Sequence, residues 1–302
     1  ASPRQVASAV SRQVPVLLAG VAAISCAAVL VRLAGAPPLF VAAGRLGIAS
    51  AILLPLCLFL GRRELVDLVR RRWRAVLLAG SLLAAHFALW IASLSYTSVA
   101  SSVVLVTTTP FIVAVVSYAL FGERLRRATF AGMAICLLGA GVIGYAGWSH
   151  GGAAPAGNAL AFTAALAMAG YLLVGRRLRP AAGLLPYTTA VFGVAALLLL
   201  PAFFLSGGEY SGYPARTYAA VVALALVPQL IGHMSLNWAL RYLPATMVTV
   251  AVLGEPVGAS ILAVVVLRET PTPLELAGAV LILTGIALAF LRGGARQEQG
   301  RM

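Results

Sequence analysis

Polar side chains that could bind a small molecule recur at helical spacing in two otherwise apolar stretches. The first stripe is His86, Trp90 and Ser93, followed by Tyr96, and the second is Gln229, His233 and Asn237, followed by Trp238. Spacings of three and four residues place each stripe on one face of a helix. The stripes predict either two walls of one binding cavity or hydrogen bonds between packed helices.

Glu255 is the one acidic residue that is expected to be buried within a predicted apolar span, since Glu275 stands at the very edge of the last one. A carboxylate at the centre of a membrane helix costs about 2.5–3.5 kcal/mol on insertion scales, so it needs a partner, water or a proton. Three roles stay open: binding a substrate ammonium group, carrying a proton for antiport, or pairing with Arg45 or a histidine. For Arg45 itself we expect a structural role, with its guanidinium reaching the headgroups, or a carboxylate-binding role near the membrane surface.

Two prolines mark weak points in the predicted fourth and ninth spans. Pro110 and Pro256 each remove a backbone hydrogen bond, which either shapes a cavity and permits gating or only curves the helix. Thr108 and Thr109 add hydroxyl groups at the same level as Pro110. Tyr171, in the predicted sixth span, is expected to complete the wall of the cavity.

The composition predicts that these residues are positioned by membrane-spanning helices. Hydrophobic residues make up 61% of the chain and charged residues 10%, and a spanning helix needs roughly 20 apolar residues. Ten such stretches lie near 14–34, 38–60, 75–95, 98–121, 128–147, 157–175, 185–205, 217–240, 244–267 and 274–292. The expected fold is therefore an all-α integral membrane protein of ten transmembrane helices. The 3 cysteines lie in apolar spans without metal or disulfide spacing, and neither a metal nor another cofactor is expected.

Positive charge alternates between the loops that join the predicted spans. All 22 basic residues are arginine, the formal net charge is +14, and most arginines fall on the termini and on every second loop. The exceptions are Arg32, Arg45, Arg216 and Arg268. The positive-inside rule therefore predicts that both termini are cytoplasmic. The arginine-rich loops are expected to contact anionic lipid, and nucleic acid is not an expected partner. The sequence leaves the oligomeric state open, and a monomer is compatible with it.

The second half of the chain repeats the first at an offset of 146 residues. Tyr96 aligns with Tyr242 and Pro110 with Pro256. Each half holds five predicted spans, an odd number, so the second copy must enter the membrane from the opposite side, as in transporters with inverted repeats. The predicted segments are a cytoplasmic N-terminal segment 1–13, a first five-helix repeat 14–147, an outer linker 148–156, a second five-helix repeat 157–292 and a cytoplasmic tail 293–302.

Motifs in both halves resemble those of the EamA-type drug/metabolite transporters. The first half carries His86-Phe-Ala-Leu-Trp90, Tyr96-Thr-Ser-Val-Ala-Ser-Ser, Thr109-Pro110 and Phe121-Gly-Glu123-Arg124, and the second carries Leu240-Arg-Tyr242, Gly254-Glu255-Pro256, Leu267-Arg-Glu269 and Leu276-Ala-Gly278. The resemblance implies an exporter of small metabolites, often amino acids, with a central cavity lined mainly by helices 1, 3, 4, 6, 8 and 9. It points to bacterial exporters of aromatic and neutral amino acids, and therefore to the bacterial inner membrane.

The sequence favours a transporter over the other functions that we considered. We expect alternating access with a small-molecule substrate, first an amino acid and alternatively a drug or organic cation that Glu255 would neutralise. An intramembrane enzyme is the third hypothesis. It lacks support because the chain contains no HExxH or GxSxG pattern and no paired carboxylates.

Overall fold

The structure is a computed structural model, and it describes residues 15–121, 127–149, 154–242, 248 and 252–294. These residues form helices and no strand, which confirms the predicted all-α fold. The helices are α1 Pro15–Ala34, α2 Pro38–Leu60, α3 Arg62–Ser93, α4 in two parts, Val99–Val106 and Thr109–Phe121, α5 Arg127–Ser149, α6 Ala154–Leu178, α7 Leu184–Leu205, α8 Ala215–Ala239, α9 Glu255–Leu267 and α10 Pro273–Gly294.

Seven helices in the described part of the chain are long and apolar enough to cross a bilayer, namely α1 to α4 and α6 to α8. Two shorter apolar helices follow, at Glu255–Leu267 and Pro273–Gly285. The protein is therefore a multi-pass membrane protein. The predicted span 244–267 begins among residues outside the described ranges. The total of ten spans and the inverted relation of the halves stay predictions.

Local sequence accounts for several helix boundaries. Gly35, at φ +56°, ends α1 in the left-handed conformation that glycine adopts most easily. Pro38 then opens α2, where its missing N–H costs nothing. Helix α3 begins at Arg62, well before the predicted start at residue 75, and bends at Arg72, whose φ of −131° and ψ of 23° are not helical. The arginines of this first part lower its hydropathy, which is why the prediction missed it.

Helix α8 departs from regular α-helical geometry in its middle. Residues Ala225–His233 form a π-helix that contains Pro228, whose nitrogen has no hydrogen to donate. Such segments are rare, and they often occur at functional sites. Gln229 and His233, two members of the second polar stripe, lie in this segment.

The helices pack around α2, α3 and α7. Helix α3 packs against α6 and α7, α2 against α7 and the π-helical segment of α8, and α1 against α8. Helices α5 and α10 form a separate antiparallel pair. A Cβ atom on Gly139 would lie 2.7 Å from the carbonyl oxygen of Gly278, and one on Gly285 would lie 2.5 Å from that of Gly132. The 146-residue offset converts each of these two contacts into the other.

Candidate functional site

A central cavity lies between the helices, with about 700 Å³ of space that no atom fills, part of it open to solvent. The lining is apolar and aromatic with a few polar groups, and it comprises Ile24, Ala27, Arg45, His86, Phe87, Trp90, Val106, Thr107, Thr109, Pro110, Met168, Tyr171, Leu172, His233, Leu236, Asn237, Val248, Val252 and Glu255. Helices α1, α3, α4, α6 and α8 and the start of α9 supply most of these residues, and α2 adds Arg45.

The first polar stripe contributes two of its members to the cavity. His86 and Trp90 line it, with their rings parallel and 6.1 Å apart. The His86 Nδ1 lies 3.0 Å from the carbonyl oxygen of Ala164. Since only a protonated nitrogen can donate to a carbonyl, a neutral His86 keeps its Nε2 as an acceptor. Ser93 instead is buried and donates to the Trp90 carbonyl, and Tyr96 is 50% exposed after the end of α3.

The second stripe also divides between the cavity and its surroundings. His233 and Asn237 line the cavity. The Asn237 Oδ1 accepts a 2.7 Å hydrogen bond from the hydroxyl of Tyr171, which also lines the cavity, while the buried Asn237 Nδ2 has no hydrogen-bond partner among the described residues. Trp238 packs against Tyr242 at 4.9 Å and is not part of the lining. Asn237 therefore keeps an unused amide donor at the wall of the cavity.

Gln229 lies behind the cavity wall and holds Arg45. The Arg45 Nε donates a 2.8 Å hydrogen bond to the Gln229 Oε1, and the guanidinium carbon lies 4.2 Å from the centre of the Phe87 ring. Arg45 is 0% exposed, so the expectation that it reaches the headgroups is wrong. The sequence contained one signal of this contact, because an arginine in one predicted span and a glutamine in another can form a hydrogen bond.

Glu255 lines the cavity from the first turn of α9. A carboxylate there is stabilised by the positive end of the helix dipole. Neither terminal nitrogen of Arg45 has a hydrogen-bond partner within the described ranges, so Arg45 and Glu255 share the cavity without a direct hydrogen bond. The cavity therefore has one guanidinium and one acidic side chain in its lining, on α2 and α9.

The threonine run of α4 satisfies the backbone around Pro110. Thr109 and Pro110 line the cavity, whereas Thr108 faces a separate apolar pocket. The Thr109 hydroxyl donates a 2.7 Å hydrogen bond to the carbonyl oxygen of Val106. That carbonyl is the group that Pro110 leaves without a helical donor. Pro256 stands in the first turn of α9, directly after the 3₁₀ turn Val252–Gly254, so its missing N–H falls where that turn passes into the helix.

Apolar lining residues were not found by sequence reasoning. Phe87, Met168 and Leu172 contribute to the cavity wall, but nothing in a chain of apolar helices distinguishes them from packing residues. Their position next to His86 or Tyr171 on the same helix was the available signal.

Hydrogen bonds close the α4–α10 junction, which we define as Ser98, Ser101, Thr272 and Glu275. Ser98 caps α4 by accepting from the Ser101 N–H. The Glu275 Oε1 accepts hydrogen bonds from the hydroxyls of Ser98 and Ser101. Its Oε2 accepts from the Thr272 N–H and hydroxyl, at 2.9 and 3.0 Å, in a capping box at the start of α10. One carboxylate thus ties together the first turns of two helices.

Arg179, between α6 and α7, supports the far end of the second stripe. Its Nε donates a 2.8 Å hydrogen bond to the backbone carbonyl of Asn237, and its Nη1 donates to the carbonyl of Ala182. Burial lowers the pKa of the Arg179 guanidinium from its ordinary value. These bonds fix the helix that presents the Asn237 side chain to the cavity.

The chain resembles known proteins both in sequence and in fold. The model of the EamA-like transporter family matches residues 13–145 and again residues 155–291. A protein of Streptantibioticus cattleyicolor named "Probable terminal-alkyne amino-acid exporter" is 30% identical over 179 residues, which is 59% of this chain and 59% of that protein. One solved structure, described only as the crystal structure of a protein, matches with a TM-score of 0.72 and 22% identity over 96% of this chain and 99% of that one.

Proposed function

Because the chain belongs to the EamA-like transporter family, and is thus a transporter rather than an enzyme, we propose that it exports amino acids by alternating access. The observation that carries the proposal is the cavity itself. Glu255, His86 and Asn237 present polar groups to a space whose other walls are apolar or aromatic, including Trp90 and Tyr171. Such a space suits a small zwitterion with an apolar side chain.

Two observations support an inverted duplication as the basis of alternating access. The same family model matches each half of the chain. The contacts of Gly139 with Gly278 and of Gly285 with Gly132 exchange under the sequence offset, and the two helices run antiparallel. A two-fold axis that exchanges two antiparallel helices is perpendicular to both of them. In a membrane protein such an axis lies in the plane of the membrane, as an inverted repeat requires. We therefore propose repeats at 14–147 and 157–292, each of which can adopt the conformation of the other.

The arginine distribution supports a location in the bacterial inner membrane with both termini in the cytoplasm. In this orientation the α4–α10 junction lies at the outer surface and Arg179 lies near the cytoplasmic one. The arginine-rich segments on this side, for example Arg70, Arg71 and Arg72 in the first part of α3, would contact anionic lipid.

The proposed substrate-binding residues remain those that the sequence suggested. They are His86, Trp90, Ser93, Tyr96, Thr108, Thr109, Tyr171, Gln229, His233, Asn237, Trp238 and Glu255, with Pro110 and Pro256 as helix-bending residues. The name of the Streptantibioticus relative supports an amino-acid substrate, although the match spans only 59% of that protein. Within this set, His86, Trp90, Thr109, Tyr171, His233, Asn237 and Glu255 border the cavity and are the first to test.

Efflux of apolar or organic cations is the second candidate function. Glu255 favours it, because a carboxylate in an apolar cavity would neutralise a cation and the aromatic walls would hold its apolar part. Arg45 weighs against it, because a buried guanidinium in the same cavity repels a cation.

Uptake of labelled amino acids into proteoliposomes tests the proposal, with and without an imposed pH gradient. We expect saturable uptake of at least one apolar or aromatic amino acid. Trp90→Ala should weaken the apparent affinity about tenfold, since an aromatic wall contributes at least about 1.5 kcal/mol by burial. Trp73→Ala is the matched control, because Trp73 is exposed and lies outside the cavity. Uptake of every amino acid at the level of empty liposomes would exclude the proposal.

A further inference from the structure

Arg45 is a buried cation whose hydrogen-bonding capacity is only partly used. The side chain is 0% exposed and borders the central cavity. Its Nε donates to the Gln229 Oε1, while its Nη1 and Nη2 have no hydrogen-bond partner among the residues that the structure describes. A guanidinium presents these two nitrogens along one edge, in the geometry that matches the two oxygens of a carboxylate.

The repeat architecture does not require a guanidinium at this position. The residue 146 positions later is Val191, which occupies the corresponding place on α7 and is also 0% exposed. An apolar side chain therefore fits the equivalent place in the other half. Leaving charged donors buried and unpaired is costly, so an arginine retained here is best explained by a ligand that completes its bonds.

We propose that Arg45 binds the carboxylate of the transported molecule through its Nη1 and Nη2 edge. Glu255 stands on another wall of the same cavity and takes the ammonium group, so the substrate is a zwitterion rather than a simple cation. The proposal rests on the proposed amino-acid transport and adds the chemical group that the site requires. The apolar walls then receive the substrate side chain.

Gln229 acts as a positioning residue for Arg45. Its Oε1 fixes the Arg45 Nε at 2.8 Å, and the Phe87 ring lies under the guanidinium at 4.2 Å, an arrangement that attracts a cation. Together they hold the plane of the guanidinium before a ligand arrives, which reduces the ordering cost of binding. Gln229 lies in the π-helical segment of α8, so this local geometry sets where its side chain meets α2.

The test compares amino acids with their own amides. The full chain is purified into nanodiscs, and binding of phenylalanine and phenylalaninamide, and of leucine and leucinamide, is measured by calorimetry alongside the liposome uptake panel. The amide keeps the ammonium and the side chain but loses the carboxylate. For the wild type we expect the amide to bind about 10- to 100-fold more weakly, the range for lost hydrogen bonds to a charged group.

Variants separate recognition from structure. Arg45→Gln should bring the amino acid and its amide to equal affinity, and Arg45→Lys should restore part of the preference. Gln229→Leu should reduce the preference for the amino acid over its amide, because the Arg45 guanidinium then loses the partner that holds its plane. Arg216→Gln, at an exposed arginine outside the cavity, should change nothing. The wild-type comparison needs no variant, so the proposal stays testable if Arg45→Gln does not fold.

The outcomes distinguish this proposal from the one on which it rests. Uptake of amino acids with equal binding of acid and amide overturns the role of Arg45 and leaves amino-acid transport standing. An Arg45→Gln variant that weakens both ligands alike also overturns it, because a purely structural arginine would act in this way. Absence of uptake for every amino acid overturns amino-acid transport and the Arg45 proposal together.

Discussion

Replacing Glu275 should destabilise the first turn of α4, which lies far from Glu275 in sequence. The Glu275 carboxylate accepts hydrogen bonds from Ser98 and Ser101 in that turn. The Glu275 carboxylate accepts four hydrogen bonds, two from these serine hydroxyls and two from Thr272. Glu275→Ala removes all four. The two bonds to α4 contribute about 1.5–3 kcal/mol each when the acceptor is charged. Because water can hydrogen-bond to the two serine hydroxyls in the variant, we take about 3 kcal/mol as the lost stabilisation of the first turn of α4.

Hydrogen exchange measured by mass spectrometry on the protein in nanodiscs reports this loss directly. A local opening made easier by about 3 kcal/mol exchanges about 100-fold faster. The effect should appear in α4, over Val99–Val106, and in the first turn of α10. Glu275→Gln should show only about a fivefold effect. Its amide oxygen still accepts from Thr272, and its NH₂ donates to serine hydroxyls that can turn to accept.

The matched control is Glu209→Ala, which removes a carboxylate from an exposed position between α7 and α8. Exchange in α4 should be unchanged in this variant. If Glu275→Ala folds and its α4 amides exchange at the wild-type rate, the carboxylate does not hold the junction and the reasoning fails. Faster exchange throughout the protein would instead show a global loss of stability and would also contradict a local tie.

Three further perturbations test other parts of the structure. Gly139→Ala and Gly285→Ala should each lower the free energy of unfolding by about 1–3 kcal/mol through overpacking, whereas Gly141→Ala, with no atom within 4 Å of the new Cβ, should not lower the midpoint of thermal unfolding. Glu255→Gln should abolish uptake of tetraphenylphosphonium if the protein carries cations, while amino-acid uptake persists with weaker affinity because the amide oxygen still accepts from an ammonium group. Arg179→Leu should lower the thermal midpoint, since the two carbonyls it leaves unpaired cost about 1–3 kcal/mol each.

The helices could be predicted from the sequence wherever hydropathy alone decides their extent. The predicted span 38–60 coincides with Pro38–Leu60, and 185–205 differs from Leu184–Leu205 by one residue. Helix α3 was predicted too short because its first part is rich in arginine. A pattern of apolar residues indicates which part of a helix is buried in lipid or protein. The first part of α3 is polar and carries no such pattern, so its helical structure could not be predicted in this way.

The arrangement of the site was harder to predict because it depends on contacts between distant residues. His86 and Trp90 lie on the cavity as the spacing suggested, but Gln229 turns to Arg45, which is 184 residues away. The spacing argument assumes a regular α-helix, whereas Gln229 and His233 belong to a π-helical segment. Some polar side chains that the sequence suggested for substrate binding instead form hydrogen bonds within the protein. The Thr109 hydroxyl, for example, donates to the Val106 carbonyl.

The pairing of α5 with α10 leaves α5 without its partner helix for much of the synthesis of the chain. Cys136 donates to the carbonyl of Ile282, 146 residues further along the chain. At about 5–20 residues per second, the ribosome needs about 7–30 s to add that length. During this interval the glycine face of α5 is already synthesised and has no intramolecular partner. A second nascent chain on the same messenger RNA carries the same α5 face. Pairing of α5 with α10 within one chain therefore competes with pairing of α5 between two unfinished chains. Slow synthesis of the second half would favour the pairing between chains.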